Sequence, residues 1–370
     1  MTLGASTTIS SMASSGTGAP IAFSSTINAT TAGVEGLIIT AGIGSATFSG
    51  NIGSTIPLGA LTVSADGGIH LASAISTKNG IITLNSPVIL AGATVLATNG
   101  ASGTGAAVLL NSTVNGTTAG AQSLTIDAGN GAATFTGAVG GSIPIGALLV
   151  SASGGIDIAN NILTKNGAIT FNDAVVLSQG VSWTTDASGG TGAAVNVNSV
   201  LNGTAAGSQS LNIQAGNGLA TFAGVIGGTT PLGNLSIAAS GGIHIAGNIS
   251  TKNGAITMSS PVVLTGSSIM DVTASSGTGA NITFFNTLDG TISEMENLTL
   301  TPGTGDIALG EAVGSITPLG VITFTNGTNI TASDPITATS LTQSLGTGLT
   351  TLSGATLSAN LTLTGSQFLL

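Results

Sequence analysis

Three unrelated markers recur through the chain at one fixed interval. G-T-G-A begins at Gly16, Gly103, Gly190 and Gly277, T-K-N-G begins at Thr77, Thr164 and Thr251, and a proline stands at Pro57, Pro144, Pro231 and Pro318. Every step is 87 residues, with no insertion or deletion over four copies. A period held this strictly means that the backbone geometry repeats as well, and a sandwich, a propeller and a solenoid are the folds to be told apart.

Within one period the apolar residues alternate in short runs: Ile169 and Phe171, Val175 and Leu177, Val195 and Val197, Leu211 and Ile213, Leu235 and Ile237, Ile243 and Ile245. Alternation of period two marks strands, and the Gly, Asn, Ser, Asp and Thr clusters between the runs mark turns. No segment sustains a 3.6-residue apolar period, so helix is not expected. The bulky residues fall at equivalent phases. Phe48, Phe135, Phe222 and Leu309 form one series, Leu84, Phe171 and Met258 a second, and Leu96, Trp183 and Met270 a third. Each series stays apolar, as a continuous interior column requires, and no half-period of propeller-blade length is visible. The sequence therefore predicts an all-β, right-handed parallel β-solenoid. With about four coils of roughly 22 residues per period and strands about 4.8 Å apart, a period would rise about 19 Å and the chain would make roughly 17 coils over about 80 Å. Strand starts at Gly167, Gly192, Gly218, Gly242 and Gly254 are unevenly spaced, which points to coils of unequal length. The solenoid repeats are expected over 1–333, beginning partway through a period, with 334–370 as divergent final coils of the same solenoid.

Composition narrows the function classes. Charged residues make up 4% of the 370, with 3 Lys+Arg against 13 Asp+Glu and a formal net charge of −10. A nucleic-acid partner is excluded as an expectation, because phosphate binding needs basic residues to release counterions. The chain has no cysteine, hence no disulfide and no thiolate ligand or nucleophile. No run approaches the 18 or so apolar residues of a membrane helix, so no membrane span is expected.

Catalytic, cofactor-binding and metal-binding residues are not expected, and neither is enzymatic activity. His70 and His244 are the two histidines, and the same phase carries Asp157 and Thr331. In G-G-I-H they read as outward strand residues about 19 Å from their phase neighbours, whereas a zinc ion needs three or four ligands in its first shell. Asp173 shares its phase with Ser86 and Ser260, Asp186 with Asn99 and Thr273, and Asp306 with Leu219. Glu35 and Glu296 share one with Gln122 and Gln209, and all these read as solvated decoration. Lys78, Lys165 and Lys252 all lie in T-K-N-G, a turn in which Asn-Gly supplies positive φ. The G-x-G strings at Gly16, Gly129 and Gly216 match no phosphate-binding fingerprint and read as turns. Sequons at Asn115, Asn202 and Asn326 are no more than this composition produces by chance. Rows of outward Thr would suit an ice lattice, but no unbroken T-x-T array stands at fixed phase, and a carbohydrate-cleaving solenoid would need clustered carboxylates.

The cadence of G-A-I-T-F-N-D-A-V-V-L, then A-Q-S-L-T-I-D-A-G-N-G-A-A-T-F-T-G-A-V-G-G-S-I-P-I-G-A-L-L-V and G-G-I-D-I-A-N-N-I, resembles the β-strand repeats of very large bacterial surface proteins related to filamentous haemagglutinin and autotransporter passengers. The resemblance covers nearly all of residues 1 to about 330. It implies a secreted protein at the bacterial cell surface, a long β-solenoid stalk, and a role in adhesion, matrix or surface coating with a host or matrix surface as partner. It carries no catalytic residues and no cofactor. Met1 aligns with Val88, so the chain starts inside a period. A piece of a longer stalk has this form, and so does a filament subunit whose copies stack end to end by β-augmentation.

Overall fold

The structure, a computed structural model, describes residues 1–12 and 16–370. They form short β-strands and two 3-10 turns, Gly100–Ser102 and Ala187–Gly189. The chain builds two compact units. One comprises Met1–Val176 with Thr184–Ala193, the other Leu177–Trp183 with Ala194–Leu370. Both are parallel β-solenoids.

In the first unit the coils contribute a short strand or a single bridge to each of three stacks. The first stack runs through Thr7–Ser10, Leu37–Gly42, Leu61–Ala65, Ile82–Leu84, Val108–Leu110, Ala133–Phe135 and Ile156–Ile158, each parallel to the next. The second runs through Ile21–Phe23, Ala46–Phe48, Ile69–Leu71, Val88–Leu90 and Val114–Gly116, then through single bridges at Val139 and Ile162. The third holds Ile75–Ser76, Thr94–Ala97, Leu124–Asp127, Leu148–Ser151 and Ile169–Phe171. Most strands are three residues long, with both ends buried and the centre facing out. Three residues are the shortest run that places two side chains inward before the chain must bend.

The coils are unequal. Stepping along the first stack from Leu37 to Leu61, Ile82, Val108, Ala133 and Ile156 advances 24, 21, 26, 25 and 23 residues. One period, from Ile82–Leu84 to Ile169–Phe171, contains eleven strand positions, counting the bridge at Val139. Eleven positions at three per coil make three and two-thirds coils, so each period ends one stack short of a whole number of coils. A period thus makes close to four coils, of unequal length, as expected. One expectation is corrected: the phase series are not columns. Phe48 lies in the second stack and Phe135 in the first, and Leu84 lies in the first while Phe171 lies in the third. The column through Phe135 is instead Ile39, Val63, Leu84, Leu110, Phe135 and Ile158, one residue per coil. All members of the three phase series are nonetheless buried, Trp183 among them. Any phase must be apolar whichever stack it reaches, because all three stacks face the same interior.

The phenylalanines are accommodated locally. Ala46, Ala133 and Ala220 each stand two residues before Phe48, Phe135 and Phe222 on the same inward face of a strand. The small side chain leaves volume for the large one, as close packing requires. Phe23 and Phe48 stack in adjacent coils with ring centroids 5.3 Å apart and planes 8° from parallel.

The second unit repeats the plan. One stack contains Leu211–Gln214, Leu235–Ala238, Ile256–Met258, Ile282–Phe284, Ile307–Leu309, Ile330–Ala332, Leu349–Leu352 and Gln367–Leu369. Another contains Val195–Val197, Ala220–Phe222, Ile243–Ile245, Val262–Leu264 and Leu288–Gly290. Beyond residue 333 the T-K-N-G turn is replaced by one eight-residue strand, Ile336–Gln343, which pairs Leu319–Phe324 on one side and both Ala355–Leu357 and Leu361–Leu363 on the other. Among the described residues no helix is long and apolar enough to cross a membrane.

Candidate functional site

The polar residues with chemical potential lie at the bends between strands, and their geometry repeats from copy to copy. T-K-N-G is a turn, with Asn79, Asn166 and Asn253 at φ of 59°, 58° and 56°. The Thr77, Thr164 and Thr251 hydroxyls close it by donating to the carbonyls of Gly80, Gly167 and Gly254, each at 2.5 Å. The asparagine side chains reach the G-T-G-A loop of the next coil. Asn79 Oδ1 accepts the Gly105 N–H at 3.1 Å, Asn166 Oδ1 the Thr191 N–H at 2.7 Å, and Asn253 Oδ1 the Thr278 N–H at 2.6 Å. Two of the three markers, T-K-N-G and the G-T-G-A that follows it, are thus two halves of one clamp.

A second clamp joins Asn28, Asn115, Asn202 and Asp289 to the loop before each marker proline. Each Oδ1 accepts two successive backbone N–H groups: those of Thr55 and Ile56, Ser142 and Ile143, Thr229 and Thr230, and Ile316 and Thr317, all at 2.8–3.3 Å. Asn115 and Asn202 of the sequons named above belong to this set, while Asn326 accepts the Gly303 N–H at 2.9 Å.

The acids and amides read as solvated decoration are a third clamp, and this corrects that reading. Glu35, Gln209 and Glu296 are buried and Gln122 is half-buried. Each folds back over the preceding turn. Glu35 accepts the Thr30 hydroxyl at 2.6 Å and the Thr31 N–H at 2.9 Å. Gln122 accepts the N–H groups of Thr117 and Thr118, and Gln209 those of Thr204 and Ala205, all at 3.0–3.1 Å. Glu296 accepts the Thr291 hydroxyl at 2.5 Å and the Ile292 N–H at 3.2 Å. The Thr30 hydroxyl and the Thr31 N–H hold the Glu35 carboxyl below its ordinary pKa. Burial pushes the Glu296 carboxyl up, but its hydrogen bonds to Thr291 and Ile292 outweigh burial and leave it lowered. At a fourth phase Ser86, Asp173 and Ser260 do one job with different chemistry, accepting the N–H groups of Ala65, Ala152 and Ala239 at 2.9, 2.7 and 2.9 Å. A buried backbone N–H that no strand satisfies must find an acceptor, and any oxygen of suitable reach serves. That is why Asp alternates with Ser and Glu with Gln.

The histidines face out from strand centres. His70 sits between Thr47 and Ile89 of the adjacent coils, and His244 between Thr221 and Val263. Asp157 lies in a different stack from His70, so these phase neighbours do not face each other. Among the described residues no three His, Asp or Glu side chains gather within reach of one metal ion. The lysines are half-buried rather than solvated. Their stems lie over glycines at φ of 82–84°, Lys78 over Gly33, Lys165 over Gly120 and Lys252 over Gly207. One arrangement escaped the phase comparison. Thr299, Thr323, Thr342 and Thr362 align one above another in the second unit. Their steps of 24, 19 and 20 residues follow coil length rather than the period, so only the register reveals them. Thr301 and Thr325 stand beside the first two members, the Thr325 hydroxyl donating to that of Thr301 at 3.0 Å.

The chain matches no protein-family model, no curated protein and no solved structure.

Proposed function

We propose that this chain is a structural segment of an extracellular bacterial surface fibre, a stalk that supplies length and adhesive reach and carries out no catalysis. One observation carries the reading. The Asn, Asp, Gln, Glu and Ser side chains at four phases spend their oxygens on backbone N–H groups, in most cases of an adjacent coil, and do so in successive copies. Hydrogen bonds of this kind fix the coil-to-coil register and leave few polar groups to converge on a substrate. The resemblance of the repeat to the strands of bacterial surface stalks supports the same role. Immunogold electron microscopy of intact producing cells, with antibody raised against the purified chain, tests it. Label along filaments outside the envelope is expected, and label confined to the cytosol would overturn the proposal.

A further inference from the structure

The four copies differ sharply at one place. The turn that precedes the third clamp reads Thr31, Gly33, Val34 in the first copy, Thr118, Gly120, Ala121 in the second and Ala205, Gly207, Ser208 in the third, but Ile292, Glu294, Met295 in the fourth. The loop beside it, at Thr55, Ser142 and Thr229, carries Ile316. The backbone is unchanged. Glu294 N–H donates to the Pro318 carbonyl at 2.7 Å, as the N–H groups of Gly120 and Gly207 donate to those of Pro144 and Pro231. The Gly290 N–H donates to the Thr317 carbonyl at 3.1 Å, so the two segments lie side by side. Their side chains point to solvent: Ile316 is 82% exposed, Met295 62% and Ile292 60%. Exposed Glu294 stands among them at φ 62°.

In the first three copies this turn is covered by the stem of a lysine, at Lys78, Lys165 and Lys252. In the fourth the lysine phase is occupied by Thr339, within the strand Ile336–Gln343. The fourth copy has therefore lost its internal cover while gaining three large apolar side chains and one carboxylate. Exposed apolar groups clustered in this way mark interaction sites. We infer that the surface formed by Ile292, Glu294, Met295 and Ile316 docks a segment of another polypeptide in which a lysine is flanked by apolar residues. The lysine stem lies across the exposed side of the turn, its ammonium meets Glu294, and the flanking residues cover Met295 and Ile316. A second copy of this chain is a poor occupant, since its three lysines are already seated on their own glycines. An anionic membrane is disfavoured by Glu294 and by the net charge of −10.

The inference does not depend on the stalk reading, which the labelling experiment tests separately. It is tested on the full chain by following the methyl resonances of Ile292, Met295 and Ile316 while titrating the peptide Gly-Leu-Lys-Leu-Gly-Ser. Saturable shifts at these methyls are expected, with Val34, the exposed counterpart of Met295 in the first copy, unmoved. Glu294→Gly and Ile316→Thr each install a residue that earlier copies carry at that phase, so the fold is kept, and each is expected to weaken binding at least tenfold. The peptide with Glu in place of Lys should not bind. Absence of saturable shifts, equal shifts with the Glu peptide, or unchanged affinity in both variants would overturn the inference. So would perturbation of the same methyls by self-association on concentrating the chain, or by vesicles of zwitterionic and anionic phospholipid, in the absence of peptide.

Discussion

Asn253 Oδ1 accepts the backbone N–H of Thr278 at 2.6 Å, across 25 residues of sequence and one coil of the solenoid. The bond depends on the left-handed backbone of Asn253, at φ 56°, which turns the side chain toward the next loop. Two contributions are separable. Asn253→Gly keeps the backbone conformation at no steric cost and loses the acceptor, whereas Asn253→Ala loses the acceptor and adds left-handed strain. We expect losses of about 1 kcal/mol for glycine and about 2 kcal/mol for alanine. Amide hydrogen exchange at Thr278 and Gly279 should accelerate in both variants, and unaltered exchange in the alanine variant would refute the clamp.

The distinction between phase and column can be measured directly. Phe135 is buried against Leu110 of the preceding coil, while its phase neighbour Phe48 belongs to another stack. Phe135→Ala should cost about 3–5 kcal/mol through lost burial and the cavity left behind, and Phe135→Asp more, because the charge would be buried without a partner. Trp183→Asp, at a site with no exposure, should be equally severe. Double-mutant cycles with conservative truncations should show coupling of about 0.5–3 kcal/mol between Phe135 and Leu110 and additivity between Phe135 and Phe48. Coupling to Phe48 in place of Leu110 would restore the phase columns.

Much of this fold is written in the sequence at short range. The alternation in Ile169–Phe171, the turns at T-K-N-G and the apolar phases each depend on residues next to one another, and strands, turns and core follow from them. The stack to which a strand belongs depends instead on how many residues each coil takes, and that is set by loops such as 136–147, where the single bridge at Val139 stands in for a strand. No local pattern reports such a bridge, so residues one period apart are expected to share a column where the structure puts them in different stacks. The clamps were hidden for a related reason. Asp173 and Ser260 look unlike as residues, yet each is simply an oxygen placed to accept an N–H from the preceding coil.

Acid should weaken the third clamp in a defined direction. The carboxyls of Glu35 and Glu296 are held below their ordinary pKa in the folded chain. A lowered folded-state value means that their contribution to stability is complete above about pH 4.3, the ordinary glutamate value. It is lost as pH falls through the folded pKa. Glu296→Gln keeps an acceptor, as Gln209 does one copy earlier, and removes the titration. The variant should be about 1 kcal/mol less stable at pH 7, where a charged acceptor bonds more strongly. The gap between the denaturant midpoints of the two proteins should then narrow as the pH falls below about 4.3, and a gap unchanged between pH 7 and pH 3 would rule out this account.

Glu294 offers the opposite test, a substitution that stabilises. It is the fourth member of a set whose other members, Gly33, Gly120 and Gly207, share its left-handed backbone at φ of 82–84°, against 62° for the glutamate. A side chain in that region costs about 1–2 kcal/mol relative to glycine, part of which is offset by the greater freedom of glycine in the unfolded chain. In the first three copies a Cβ at this position would lie 2.9 Å from a lysine carbonyl oxygen, which enforces glycine there. In the fourth the lysine turn is replaced by the strand Ile336–Gln343, and the glutamate is tolerated. Glu294→Gly should therefore raise stability by about 0.5–1 kcal/mol, read as an upward shift of the thermal midpoint. Gly207→Glu, the reciprocal exchange beneath Lys252, should destabilise by more than that gain. Equal and opposite effects would mean that backbone strain alone decides the choice, whereas a larger loss at Gly207 identifies the overlying backbone at Lys252 as the element that enforces glycine.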